Sequence, residues 1–159
     1  MIPSSLISPV QHPLLLIVED SNEDFEAFER FMRQSSLAIP VHRCLNGDQA
    51  LAFLYHTDRY TDPESAPRPG LILLDLNLPG TDGREVLRQI KQDDNLKSVP
   101  VVIFTTSNNS KDIEACYQQG VNSYIIKPMD FSLLKRSIQT LLDYWFDITM
   151  LPKNSLEKG

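Results

Sequence analysis

Glu19-Asp20, Asp75, Thr105 and Lys127 are the residues whose types and positions can do chemistry together. Each closes an apolar run. Leu14–Val18 leads into Glu19-Asp20, Leu71–Leu74 into Asp75, Val99–Phe104 into Thr105, and Tyr124-Ile125-Ile126 into Lys127-Pro128. If those runs are parallel strands of one sheet, their carboxyl ends share an edge and the side chains converge on one small site. Singly, each residue has a plainer reading: a strand-terminal Asp or Thr as a cap or loop residue, Lys127 as a solvated surface charge. An acid pair, a third acid, a hydroxyl and an ammonium at matching strand ends is a far less accidental pattern. Three carboxylates that close repel one another, and their pKa values rise unless a cation intervenes. A hard divalent ion is the natural partner: Mg²⁺, with Mn²⁺ as its substitute, takes oxygen ligands and keeps waters that a phosphoryl oxygen can replace. Lys127 and Thr105 supply the cation and the hydroxyl donor that phosphoryl oxygens need, and Asp75 supplies a carboxylate nucleophile.

The elements that must position these residues follow from the pattern of apolar runs and punctuation. Gly70–Gly83, GLILLDLNLPGTDG, carries the central acid: an unbroken apolar strand, then Asp75, a Pro79-Gly80 turn, and Thr81 or Asp82 as N-cap of the next helix. Upstream, Ser21 or Asn22 caps a helix with Glu23 and Asp24 in its first turn, where they complement the dipole, and with Phe25, Phe28 and Phe31 at helical spacing. Val41–Leu45 is a short strand, and Asn46-Gly47-Asp48 opens a second helix. Residues 57–70 hold three prolines and mixed charge without periodicity, so they read as a long extended loop. Helices are expected from about Gly83 to Gln92, from Lys111 to Gln119 with Gly120 as its stop, and from about Asp130 to Asp147. Five strand–helix repeats dictate an α/β fold, a doubly wound parallel sheet with helices on both faces.

Composition narrows the function classes. The chain has 159 residues, 42% hydrophobic and 23% charged, enough for one full core. A formal charge of −6 argues against a nucleic-acid surface, which wants clustered Lys and Arg. Cys44 and Cys116 lack metal-type spacing and read as reduced structural thiols. The opening MIPSSLISPVQHP lacks a basic segment and a long apolar run, and nothing approaches a membrane span, so the expectation is a soluble, cytoplasmic protein with no membrane partner. Residues 1–13 are expected to be a loose arm, 14–147 the folded domain, and 148–159 a polar tail.

Glu19-Asp20, Asp75, Thr105 and Lys127-Pro128 together resemble the signature of the receiver domain of two-component response regulators, of the chemotaxis type, across Leu14 to Trp145. The resemblance implies a flavodoxin-like (βα)5 fold with strand order 2-1-3-4-5. It implies that Asp75 accepts a phosphoryl group from a sensor histidine kinase and that the protein is not itself an enzyme. It further implies Mg²⁺ bound by Asp20 and Asp75 directly, by Glu19 through water and by the backbone carbonyl of Asn77. A cis Lys127–Pro128 bond is implied, as is a switch in which Thr105 swings toward the phosphoryl group and Tyr124 turns inward. Thr106 departs from the small residue often found after the switch threonine, which predicts crowding there.

The aromatic end of the last helix suggests a partner. Leu134, Ile138, Leu141 and Trp145 make a sheet-facing stripe, yet Leu142, Tyr144 and Phe146 widen the apolar arc. Leu142, Tyr144, Trp145 and Phe146 are therefore the expected homodimer interface; the competing reading is that the tail folds back over them. After Lys127-Pro128 one helix and a tail remain, so output is expected through protein contacts with a downstream protein the sequence does not identify, not through DNA. The long last helix, the 57–70 loop and Thr105-Thr106 look like the stand-alone regulators of cyanobacterial phytochromes, which implies a light-sensing kinase. Two rivals are an interaction module with the fold but no phosphorylation, and a phosphohydrolase of the haloacid dehalogenase kind. The second needs an acid two residues after the nucleophile, where this chain has Asn77.

Overall fold

The computed structural model describes residues 12–152. Most of the expected arm and tail lie outside those residues. Strands β1 (Leu15–Val18), β2 (Val41–Cys44), β3 (Leu71–Leu74), β4 (Val101–Thr105) and β5 (Ser123–Ile126) alternate with helices α1 (Asn22–Gln34), α2 (Gly47–Tyr55), α3 (Gly83–Gln92), α4 (Ser110–Gln118) and α5 (Phe131–Asp143). The five strands form one parallel sheet in the order β2-β1-β3-β4-β5, the expected doubly wound arrangement. All residues of β1, β3 and β4 are buried, which is why they read as unbroken aliphatic runs. The edge strands β2 and β5 are half-buried, and β2 accordingly carries His42 and Arg43.

Side chains alternate across the sheet and split the core in two. Leu16, Val18, Ile72 and Leu74 pack with α2, α3 and α4; Leu15, Ile17, Leu71 and Leu73 pack with α1 and α5. Each of these five helices starts under a short polar cap: Ser21, Asn46, Asp82, Asn109 and Asp130 accept from backbone N–H groups in the first turn. Cys44 and Cys116 are buried free thiols, and burial pushes Cys44 up to about 12, so it stays protonated.

Two expectations are corrected. Residues 57–70 are not simply extended: Asp58–Tyr60 forms a 3-10 turn, and Tyr60 and Ala66 are buried. Tyr60 anchors the loop on β2, its hydroxyl 3.0 Å from His42 Nε2 and its ring edge-on to Phe53. One aromatic anchor leaves no periodicity in a sequence. The second correction concerns the aromatic end. Past α5 the chain widens into a π-helical turn, Tyr144–Ile148, where Thr149 N–H donates to Tyr144 O at 2.8 Å. The extra residue in that turn re-aims the side chains. Leu142 within α5, and Trp145 and Phe146 in this turn, sit in the chain's own core rather than on an outer face, with only Tyr144 of the four exposed. His12 meets Phe146 edge-on and Leu151 packs against the same cluster, so the start of the tail does fold back.

Close backbone approaches fix the loop after β3. A β-carbon at Gly83 would lie 2.1 Å from the Asp75 carbonyl oxygen and 2.6 Å from Leu76 Cα, so only hydrogen fits where α3 begins against the acid-bearing strand end. At Gly47 it would lie 1.9 Å from the Thr81 carbonyl oxygen, which seats α2 against the same loop. Gly83→Ala is expected to lower unfolding free energy by about 1–3 kcal/mol through forced backbone displacement, despite alanine's better helix propensity; urea denaturation measures it, and an unchanged midpoint would contradict the contact.

Candidate functional site

The parallel ladder runs one residue past each strand end and fixes the backbone of the site. Glu19 N–H donates to Cys44 O at 3.0 Å, Asp75 N–H to Val18 O at 3.1 Å, and Lys127 N–H to Thr105 O at 2.7 Å. Glu19, Asp75, Thr105 and Lys127 are the buried polar and charged residues among those described, each under a tenth exposed, whereas Asp20 is open to solvent. All five therefore meet at one sheet edge, as their spacing predicts.

Lys127 is the centre of the cluster. Its Nζ lies 2.7 Å from Glu19 Oε1, 2.9 Å from Asp24 Oδ2 and 3.0 Å from Asp75 Oδ2. An ammonium has three N–H donors, and here each has a carboxylate. Asp24 escaped the sequence reading, which took it as a dipole-complementing acid in the first turn of α1; its place one helical turn after Asp20 was the available signal. Burial pulls the Lys127 ammonium down, but its hydrogen bonds to Glu19 and Asp24 more than reverse this and hold it above its ordinary value. Burial also pushes Glu19 up, to about 7, against the opposing pull of Lys127, and the negative charge of Asp75 adds to the rise.

One oxygen from each of Glu19, Asp20 and Asp75 lies within 4.8 Å of the others. Four carboxylates, counting Asp24, face one ammonium, so the fully ionised cluster keeps an excess of negative charge. An all-oxygen donor set with unbalanced charge fits a hard divalent ion, and this cluster can hold one. Asn77 N–H donates to Asp75 Oδ1 at 3.3 Å, and Asn77 itself is exposed.

On the other flank, Thr105 Oγ1 accepts from Ser107 N–H at 3.5 Å. Tyr124 is half-buried and its hydroxyl donates to Ser107 O at 2.8 Å, so it is not left to water. Thr106, the next residue, is exposed. The Lys127–Pro128 bond is trans; no cis peptide occurs among the described residues. A proline allows both isomers within ~0.5–1 kcal/mol, and trans is the cheaper. Sequence reasoning also missed a second charged group beside Ser107: Arg84 Nε and Nη2 donate to Asp112 Oδ1 and Oδ2, both at 2.8 Å, and Ser107 Oγ donates to Asp112 Oδ2 at 2.7 Å. The Arg84 guanidinium, helped by Ser107, holds the Asp112 carboxyl down at about 2.

The raised Glu19 sets a pH dependence. In the metal-free protein a raised carboxylate favours the protonated form, so its contribution to stability is fullest below about 4.5 and is lost as pH rises through about 7. A divalent ion favours the ionised form, so Mg²⁺ affinity measured by calorimetry should rise roughly tenfold between pH 6 and pH 8. Glu19→Gln should flatten that profile; an equally steep one would remove Glu19 as its source.

The chain matches the response regulator receiver domain over residues 15–139. Response regulator Rcp1 of Synechocystis sp. is 40% identical over 139 residues, 87% of this chain and 92% of that protein. The probable methanogenesis regulatory protein FilR2 of Methanothrix harundinacea is 36% identical over 132 residues, 83% of each. The crystal structure of the Mn²⁺-bound form of Rcp1 superimposes with a TM-score of 0.84 at 40% identity, covering 89% of this chain and 99% of that one. That of the phosphorylated cyanobacterial phytochrome response regulator RcpA gives 0.84 at 38% identity over the same shares. Fold, acidic cluster and family match agree: the chain belongs to the response regulator receiver domains.

Proposed function

We propose that this protein is a stand-alone response regulator that takes a phosphoryl group onto Asp75 from the phosphohistidine of a sensor kinase. The observation that carries this reading is the Lys127 ammonium spanning Glu19 and Asp75, beside an Asp20 carboxylate left open to solvent. A carboxylate oxygen of Asp75 bonds to phosphorus while the N–P bond breaks, and its electron pair returns to the imidazole. Lys127 takes one phosphoryl oxygen and the Thr105 hydroxyl donates to another. Asp20 and Asp75 would hold Mg²⁺ directly, Glu19 through water and Asn77 through its backbone carbonyl. When bound, the ion neutralises charge on the phosphoryl oxygens. Asp75 is a phosphoacceptor, not a turnover catalyst, and the lack of an acid at Asn77 argues against a phosphohydrolase. An interaction module without phosphorylation has no need of this complete acceptor set.

Thr105 and Tyr124 act as the switch, and the output is protein contact inside the cytoplasm. The described helices include none long and apolar enough to cross a membrane. Receiver boundaries of 14–147 suit a sheet beginning at Leu15 and a helical end at Ile148. Similarity to RcpA supports a phytochrome-type light-sensing kinase as phosphodonor. A homodimer remains part of this reading, with a revised surface. A groove of about 990 Å³ between β5 and α5, lined by Ile125, Leu133 and Tyr144 among others, replaces the buried Leu142 and Phe146.

Incubation with acetyl phosphate and Mg²⁺ should add the mass of one phosphoryl group, absent with chelator and absent in Asp75→Ala. Lys127→Ala should slow the addition roughly 10²-fold, as removal of a preorganised charge donor does. An unmodified wild-type chain would overturn the reading. Sedimentation at tens of micromolar tests the dimer, and a monomer with and without phosphorylation would remove it.

A further inference from the structure

Every polar group of Ser107 is engaged. Its N–H donates to Thr105 Oγ1, its carbonyl accepts from the Tyr124 hydroxyl, and its own hydroxyl donates to Asp112. The two side chains on which a switch would depend are thus bonded to one loop residue. That residue is tied in turn to Asp112, which Arg84 grips with two parallel N–H···O bonds of 2.8 Å. A bidentate pair of this kind fixes orientation as well as distance. Arg84 is itself braced by Asp82, the N-cap of α3, at 3.0 Å.

The anchor is referenced to the acceptor. Arg84 follows Gly83, whose Cα has no room for a methyl group against the Asp75 carbonyl oxygen. The path from Asp75 therefore crosses one close backbone contact to α3, one ion pair to α4, and one hydrogen bond to Ser107. Asp112 is half-buried, with a side chain 19% exposed, and the Arg84 hydrogen bonds lower its pKa.

We propose that Arg84 and Asp112 are positioning residues for phosphoryl acceptance, holding Ser107 so that the hydroxyls of Thr105 and Tyr124 are ordered before the phosphoryl group arrives. This rests on Asp75 being the acceptor. The pair touches neither the acidic cluster nor Lys127. Its effect is preorganisation: without the pair, the β4–α4 loop must be ordered at the expense of binding energy.

The test is calorimetric titration of the full chain with beryllofluoride, a phosphoryl mimic, at saturating Mg²⁺. Arg84→Gln and Asp112→Asn should each weaken beryllofluoride binding roughly five- to tenfold, and the double variant no more than either single one. Arg84→Lys should recover part of the loss, since it keeps the charge but not the fork. Mg²⁺ affinity measured alone should stay within about twofold of wild type, because neither side chain reaches the cluster. Ser107→Ala keeps the ion pair and removes only the link; it should weaken beryllofluoride in the same sense and serves if the charge variants do not fold. Beryllofluoride affinity unchanged in these variants, or falling together with Mg²⁺ affinity as general damage would cause, overturns the proposal. A wild-type chain that binds Mg²⁺ but not beryllofluoride overturns the phosphoacceptor reading instead, and this inference with it.

Discussion

One buried ammonium governs the arrangement of this protein's sheet edge. Lys127 is only 7% exposed, and its three donors are divided among Glu19, Asp24 and Asp75. Bringing such charges out of water is costly, and stripping a partner from a buried ion pair typically costs about 3–5 kcal/mol. The cluster tolerates its surplus of negative charge because Asp20 remains in solvent while Glu19 is pushed toward its neutral form. That surplus suits a divalent cation better than a monovalent one. The same electrostatic imbalance that is costly at this edge suits it to a cation.

The sheet brings these groups together without any long-range device beyond register. Leu15 pairs with both Val41 and Leu71, so β1, β2 and β3 run flush and Glu19 and Asp75 emerge side by side. A slip of one residue would turn either carboxylate onto the opposite face. Thr105 and Lys127 are joined more directly, by a 2.7 Å backbone hydrogen bond. Burial of β1, β3 and β4 on both faces therefore does more than stabilise the core: it removes the slack that would let the acids drift apart.

This explains what the sequence made legible. Apolar runs ending in charged residues disclosed the central strands and the acidic edge, and caps such as Asp82 and Asn46 marked helix starts to within a residue. Contacts between residues distant in sequence were not legible when neither partner broke a local pattern. Asp24 looks like any acid in a first helical turn, and Arg84 and Asp112 look like ordinary surface charges until α3 and α4 are placed side by side. Tyr60 and Phe146 were misjudged for a related reason: their burial depends on a 3-10 turn and a π-helical turn, neither of which has a periodic signature.

Asp75 stands between two charged assemblies that share no residue. Lys127 meets its carboxylate from one side, and through its own N–H is bonded to the Thr105 carbonyl. Gly83 abuts its carbonyl from the other, and Arg84 carries that contact across to Asp112 and Ser107. Both routes end at Thr105, one on its backbone and one on its hydroxyl. A change of charge at the carboxylate disturbs the first route electrostatically, through the hydrogen bond that Lys127 gives to Asp75. The second route is a close backbone contact at Gly83, then an ion pair and hydrogen bonds, with no side chain in the acidic cluster. Thr105, buried at the end of β4, is where the two routes meet.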